Sequence, residues 1–247
     1  MKAYILFFIG LLFLVFGQTN SIAQNADSLL KYMDNLMLAP SDKEAIVEII
    51  LIDKVGKEKI RKAQMKQKGK DKKLYRYIYP ESQSGISTLS LPDDVMWLYL
   101  PAFGKPTKIS LLAKSQTFTG TDFSYEDMEN KPYTDRYIPS MLENNESDDY
   151  LLELRPKSTK SKYSKIILHL NKDNYYPTKM VYYDSRNNLY KVAIYKYTKQ
   201  GKYWYASEVI MTNLIKAHST NIVMTDVKFD QGLLDDIFTV ENLVQEN

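Results

Sequence analysis

The sequence contains no cysteine. That excludes disulfides, thiolate metal sites, a cysteine nucleophile and a lipid-modified N-terminal cysteine. Histidine is almost as scarce. His169 sits inside an apolar run and His218 in a polar turn, so neither is expected to ligate a metal or act as a base. Glycine and proline number nine each, and Gly56, Gly69, Gly85, Gly104, Gly120, Gly201 and Gly232 all stand alone. There is accordingly no phosphate-cradling loop, no dinucleotide fingerprint, no Gly-x-Ser-x-Gly elbow and no His-Glu-x-x-His helix. Net charge is only +3, which names no partner. Carboxylates are plentiful, and counting them does not exclude a glycosidase-type pair. Asp122, Glu126, Asp127, Asp148 and Asp149 fall in expected loops, where solvated surface is the default. A non-enzymatic protein without cofactor or metal is expected.

Long apolar runs are missing except at the start. Lys2 precedes an apolar stretch from Tyr4 to Phe16, and Ser21-Ile22-Ala23 places small residues before Gln24. As a helix the stretch would extend about 20 Å, short of the ~30 Å hydrocarbon core. It reads as a signal peptide over residues 1–23, with an uncleaved anchor as the alternative. The remaining 224 residues carry a net charge of +2 and 26 aromatics, 19 of them Tyr. Export without cysteine fits a bacterial periplasm. Asn145-Glu146-Ser147 matches a glycosylation sequon by chance.

Within residues 26–38 apolar side chains recur at 29, 30, 33, 36 and 37, the spacing of a short amphipathic helix ended by Pro40. Nearly everything after it reads as β. Strands are expected at 45–52, 57–67, 73–79 and 95–100. Six more follow at 150–154, 165–170, 178–184, 189–197, 204–214 and 220–229, separated by hairpin-length turns, and a helical turn closes the chain at 233–238. Several strands are part-apolar on both faces, which suits a curved sheet around an apolar interior, covered by the 26–38 helix. Residues 101–149, with four prolines, read as one long irregular insert. The expected fold is mainly β, one domain over 24–247.

Charge is segregated. Residues 54–73 carry an excess of +8 and residues 122–149 an excess of −7. In an exported protein the basic segment suggests transient contact with a membrane surface or an acidic partner, not nucleic acid. The alternative is a charged edge hairpin that discourages strand pairing.

Two stretches are distinctive: Trp97-Leu98-Tyr99-Leu100-Pro101-Ala102-Phe103-Gly104-Lys105, and Phe118-Thr119-Gly120-Thr121-Asp122-Phe123-Ser124-Tyr125-Glu126-Asp127. With Asn171 to Pro177, Tyr203-Trp204-Tyr205, His218-Ser219-Thr220 and Phe238-Thr239, they resemble the LolA-like lipoprotein-sorting family of bacterial envelopes. The resemblance spans roughly residues 26–243. It implies a half-open, strongly curved antiparallel sheet with helices over its concave side. It also implies a cavity that carries lipoprotein acyl chains or other lipid across the periplasm toward the outer membrane. The implied partners are an inner-membrane exporter and an outer-membrane acceptor, and the carrier is expected to be a monomer. The other class of function is an interaction module, a stress sensor or exporter subunit on the same fold. The family's lid-holding Arg has no counterpart in residues 45–52. The expected cavity lining is Val47, Ile49, Leu51, Trp97, Tyr99, Ile167, Met180, Ile194, Met211 and Met224, with Leu29, Met33 and Leu36 from the lid. Phe118, Gly120, Asp122, Phe123, Tyr125 and Asp127 mark the family loop.

Overall fold

The computed structural model describes residues 19–110, 116–129, 131–143 and 148–244. Most of the expected signal segment and the Asn145–Ser147 sequon lie outside the described residues. Helix α1 runs Thr19–Met37, so its backbone continues through the expected Ala23–Gln24 cleavage point.

Thirteen strands follow: β1 Asp42–Ile52, β2 Glu58–Lys68, β3 Lys72–Tyr79, β4 Ser87–Leu91, β5 Val95–Tyr99, β6 Pro106–Lys108, β7 Tyr137–Leu142, β8 Asp149–Pro156, β9 Tyr163–Asn171, β10 Pro177–Asp184, β11 Leu189–Gln200, β12 Tyr203–Asn213 and β13 His218–Phe229. They form one antiparallel sheet in the order β6-β5-β4-β3-β2-β1-β13-β12-β11-β10-β9-β8-β7. The chain therefore builds two meanders, and β1 paired with β13 joins them at the centre. Edge strands β6 and β7 do not pair with each other, so the sheet curls without closing. Both edges contain proline (Pro106 and Pro139), which removes a donor from the exposed ladder.

Alternation sets the two faces. Along β1, Ala45, Val47, Ile49 and Leu51 are buried on the inner face. The intervening Glu44 and Glu48 stand directly opposite Lys66 and Lys62 of β2 and pair with them on the outside. The basic hairpin is thus central, not an edge, and pairing with β13 and β3 leaves no free ladder for its charges to protect. One core cluster draws residues from α1 and from strands on both sides of the β1–β13 junction, as expected for a curved sheet.

The irregular insert expected at 101–149 is more structured than its prolines suggest. It contains β6, β7, and the single-turn helices α2 (Tyr125–Met128) and α3 (Tyr133–Arg136). Strand β4 also escapes the hydrophobic pattern because Ser87, Thr88 and Ser90 lend it too little apolar character. After β13 the chain crosses the outer face. Asp42 accepts hydrogen bonds from the amides of Gln231, Gly232 and Leu233 at 2.7, 2.8 and 3.0 Å. That turn sends Leu233, Phe238 and Leu243 onto Leu74 and Leu89, forming a second apolar cluster with Trp97 and Tyr99 at its margin.

Candidate ligand cavity and its closing loop

Helix α1 forms the roof of the inner face. Ala26, Leu29, Leu30 and Met33 lie on one stripe and are buried, whereas Tyr32 on the opposite stripe is half exposed. Leu36 is partly buried at the stripe's end. Burying each large side chain contributes about 1.5–3 kcal/mol. One polar latch supplements this packing. The buried carboxylate of Asp34 accepts from the amides of Tyr133 and Thr134 and from the Thr134 hydroxyl, each at 2.8 Å. The first amides of α3 have no intrahelical acceptor, so Asp34 satisfies them from a neighbouring element.

The family loop closes one end of the sheet. Phe118 donates its amide to the Phe123 carbonyl at 2.7 Å, and the turn between them passes through Thr119 (φ 45°) and Gly120 (φ 77°). Two left-handed residues in succession favour glycine at the second position, where a side chain would be strained. The Phe118 ring is buried edge-on against Tyr75 and Tyr125. Asp122 is buried on β13, where its Oδ2 accepts from the Thr220 hydroxyl at 2.8 Å and meets His218 Nδ1 at 2.7 Å. Ser124 and Asp127 form a reciprocal cap on α2.

Lys191 is the cation of this closure. Its side chain is 1% exposed, its Nζ donates to the Asp122 carbonyl, and it lies 3.8 Å from Asp127 Oδ2. Burial pushes its pKa down to about 8. Lys162 and Lys216 push the same way, while Asp127 and Asp122 oppose the shift. Tyr163 donates to both Asp127 oxygens, at 2.9 and 2.8 Å. Beside it, Arg136 donates to the Glu126 carbonyl at 3.1 Å and covers the rings of Tyr133 and Tyr137. Burial raises the carboxyl pKa of Glu126, which accepts from the Ser161 hydroxyl at 2.7 Å.

The interior has two kinds of wall. Around the β1–β13 junction it is aliphatic, with Val47, Ile49, Leu51, Met211 and Ile222. Toward β9–β11 it is phenolic: Tyr133, Tyr182 and Tyr195 all direct their hydroxyls at the Met180 sulfur, at 3.4–3.5 Å. Burial raises the pKa of Tyr182 and Tyr195 well above the usual phenol range. The void among Phe123, Asp127, Tyr133 and Arg136 is about 30 Å³, room for a single water-sized group. Larger grooves, of about 330 and 410 Å³, run outside it along the seam of the half-open sheet, bridged by Lys131 and Asp94 at 2.7 Å. In this conformation the roof is down and the interior beneath α3 is filled.

Of the expected lining, Leu29, Met33, Val47, Ile49, Leu51, Met180 and Met211 are brought together in the inner cluster, with Met224 packed against it. Four positions fall elsewhere and correct the expectation. Ile167 stands opposite Val181 on the outer face, because Ile166 and Leu168 take the inner one. Ile194 is half exposed, and its neighbour Ala193 is the inward residue. Trp97 and Tyr99 lie beneath the C-terminal segment on the outer side. Strand parity leaves the choice of face open, and in these strands both faces are apolar. Sequence reasoning missed Asp34, Lys191 and Arg136. A lone Asp on an otherwise apolar helical stripe was the available signal for the first of these.

A curved, half-open antiparallel sheet roofed by an N-terminal helix and closed by this loop defines a LolA-like lipoprotein-sorting fold. Residues 69–245 match a family model described only as that of an uncharacterized protein, and the chain belongs to this family. Among solved structures it is similar to a putative outer membrane lipoprotein-sorting protein domain from Vibrio parahaemolyticus. That match has 28% identity and a TM-score of 0.84, covering 90% of this chain and 100% of the other. It is similar to a DUF1329 family protein from Desulfovibrio piger at 25% identity and TM-score 0.84, covering 90% and 99%. A LolA superfamily protein from Nitrosomonas europaea, at 24% identity and TM-score 0.74 over 87% and 97%, shares the fold. No curated protein matches the sequence.

Proposed function

We propose that this protein is an exported, non-enzymatic carrier that holds lipoprotein acyl chains or another lipid between α1 and the inner face of the sheet. It would move them across the periplasm toward the outer membrane. The observation that carries this reading is the roof itself, one amphipathic helix resting on an apolar interior through Leu29, Leu30 and Met33. Those three side chains contribute about 4.5–9 kcal/mol together. Burying six CH₂ groups of an acyl chain contributes about 5 kcal/mol. Exchange of helix for lipid is therefore near balance, which is what loading and release both require. The similarity to the Vibrio lipoprotein-sorting domain supports the same reading. An inner-membrane exporter and an outer-membrane acceptor would bias that exchange in opposite directions.

Native mass spectrometry after expression in a bacterial periplasm tests it. Lipid or lipoprotein should co-purify with a monomer whose first residue is Gln24; a lipid-free protein that takes up none when offered it would overturn the carrier. The filled void beneath α3 favours a second reading, an interaction module that binds a protein on the same fold. Lipid-free protein from the same preparation, co-purifying with an envelope protein, would select it.

A further inference from the structure

The two ends of the sheet differ sharply in chemistry. At one end lie the β1–β2, β3–β4, β5–β6, β8–β9, β10–β11 and β12–β13 turns, and nine of the fifteen exposed large apolar side chains among the described residues are found there. Val55, Phe103 and Ile215 crown three of these turns at 78%, 73% and 66% exposure. Leu214 stands beside Ile215, and Ile60, Ile78, Tyr79, Ile138 and Leu189 occupy the adjoining strand ends. At the other end the turns read Gly69-Lys70-Asp71, Pro92-Asp93-Asp94, Lys172-Asp173-Asn174 and Gly201-Lys202; none of these turns carries an exposed large apolar residue, and Trp204, at 37% exposure, stands at the adjoining end of β12.

These tips are built to protrude. Asp53 Oδ1 accepts from the amides of Val55 and Lys57, both at 2.9 Å. Asn213 Oδ1 does the same for Ile215 and Lys216, at 3.2 and 3.1 Å. Phe103 ends a 3₁₀ turn begun by Pro101 and capped by left-handed Gly104. Exposed Lys54, Lys57, Lys59, Lys105, Arg186 and Lys216 surround them, against exposed Glu58 and Glu81. Farther along the basic hairpin, Lys62, Lys66, Lys68 and Lys72 pair with Glu48, Glu44 and Asp235, and Arg61 donates to the Thr119 carbonyl.

We propose that this end of the sheet docks on an anionic lipid bilayer, inserting Val55, Phe103 and Ile215 among the headgroups while the surrounding cations meet lipid phosphates. Separate rigid apolar tips ringed by cations suit a fluid, negatively charged surface, whereas a protein partner is matched by a contiguous patch. The family loop closes the sheet at this same end, where Thr119 meets Arg61 and Tyr77. Docking would therefore bring the closed mouth against the membrane. This inference concerns the surface alone and does not depend on what the interior carries.

The test uses the purified, lipid-free mature chain with vesicles of phosphatidylcholine, with or without phosphatidylglycerol. The wild type should co-sediment with the anionic vesicles and be released by salt. The triple variant Val55→Asp, Phe103→Asp, Ile215→Asp should lose at least tenfold in binding with its melting temperature unchanged. Ile194→Asp, exposed at the middle of β11, and Leu234→Asp, exposed beyond β13, should bind as the wild type does. A Phe103→Trp variant should shift its emission to the blue on anionic vesicles only. Background binding by the wild type, equal loss in the two control variants, or an unshifted emission from the Phe103→Trp variant would each overturn the proposal. A rim that serves a protein partner gives the first of these outcomes.

Discussion

Asp34 and Thr134 are joined twice, with Asp34 Oδ2 accepting from both the amide and the hydroxyl of Thr134 at 2.8 Å. Together with the Tyr133 amide, this ties the roof helix to the short helix beside the seam. Hydrogen bonds to a charged group contribute about 1.5–3 kcal/mol, so Asp34→Ala should loosen α1 without unfolding the sheet. Amides of residues 26–37 should exchange at least tenfold faster, while those of β1 and β13 keep their protection. Because the chain has no cysteine, Asp34→Cys with Thr134→Cys offers a reversible lock. Oxidised, it should block lipid uptake, and reduction should restore it; equal uptake in both states would remove the helix from the entry route.

Lys191 makes a second, electrostatic closure. Lys191→Met leaves Asp127 and the Asp122 carbonyl without their buried cation, and breaking such a pair costs about 3–5 kcal/mol. The pH dependence has a definite sign. The ammonium titrates at about 8 when folded and near 10.5 when unfolded, so between those values the unfolded chain binds more protons. Stability from this group rises across that window. The gap between wild type and Lys191→Met in urea unfolding should therefore be smaller at pH 7 than at pH 10. Comparing the two chains cancels the groups they share.

The fold was largely legible because β1 and the six strands from β8 to β13 alternate or run apolar between polar turns. The Phe118–Asp127 motif marked the loop that closes the sheet. What stayed hidden follows from physics that spacing does not encode. Parity in β9 and β11 is ambiguous, since Ile166 and Ile167, or Ala193 and Ile194, are adjacent and all apolar. Trp97 faces outward because its neighbour Met96 takes the inner face, and it is covered there only because Asp42, far away in sequence, turns the C-terminal segment across it. Lys191 reads as a surface residue in a strand of mixed polarity, and only its neighbours Asp122 and Asp127 make its burial affordable.

Gly120 isolates the contribution of the turn. No atom lies within 4 Å of where a Cβ would stand, so Gly120→Ala introduces no clash and tests the positive φ alone. The cost should be about 1 kcal/mol. It should appear as a lower urea midpoint with an unchanged slope. A loss of several kcal/mol would mean that the loop, not its turn, had been displaced.

The two faces of the sheet give the last prediction, which separates cavity from core. Met211 and Met33 face the interior under α1, while Trp97 and Ile194 lie outside it. If lipid occupies the interior, widening it by Met33→Ala costs about 2–5 kcal/mol in the empty protein. Part of that cost should be recovered when an acyl chain fills the space, so ligand should raise the melting temperature of Met33→Ala more than that of the wild type. Trp97→Ala removes outer packing and should destabilise the protein by about 3–5 kcal/mol with no such recovery. Ile194→Asp, already half exposed, should change neither stability by more than about 0.5 kcal/mol nor lipid loading. Equal recovery in Met33→Ala and Trp97→Ala would place the lipid somewhere other than beneath α1.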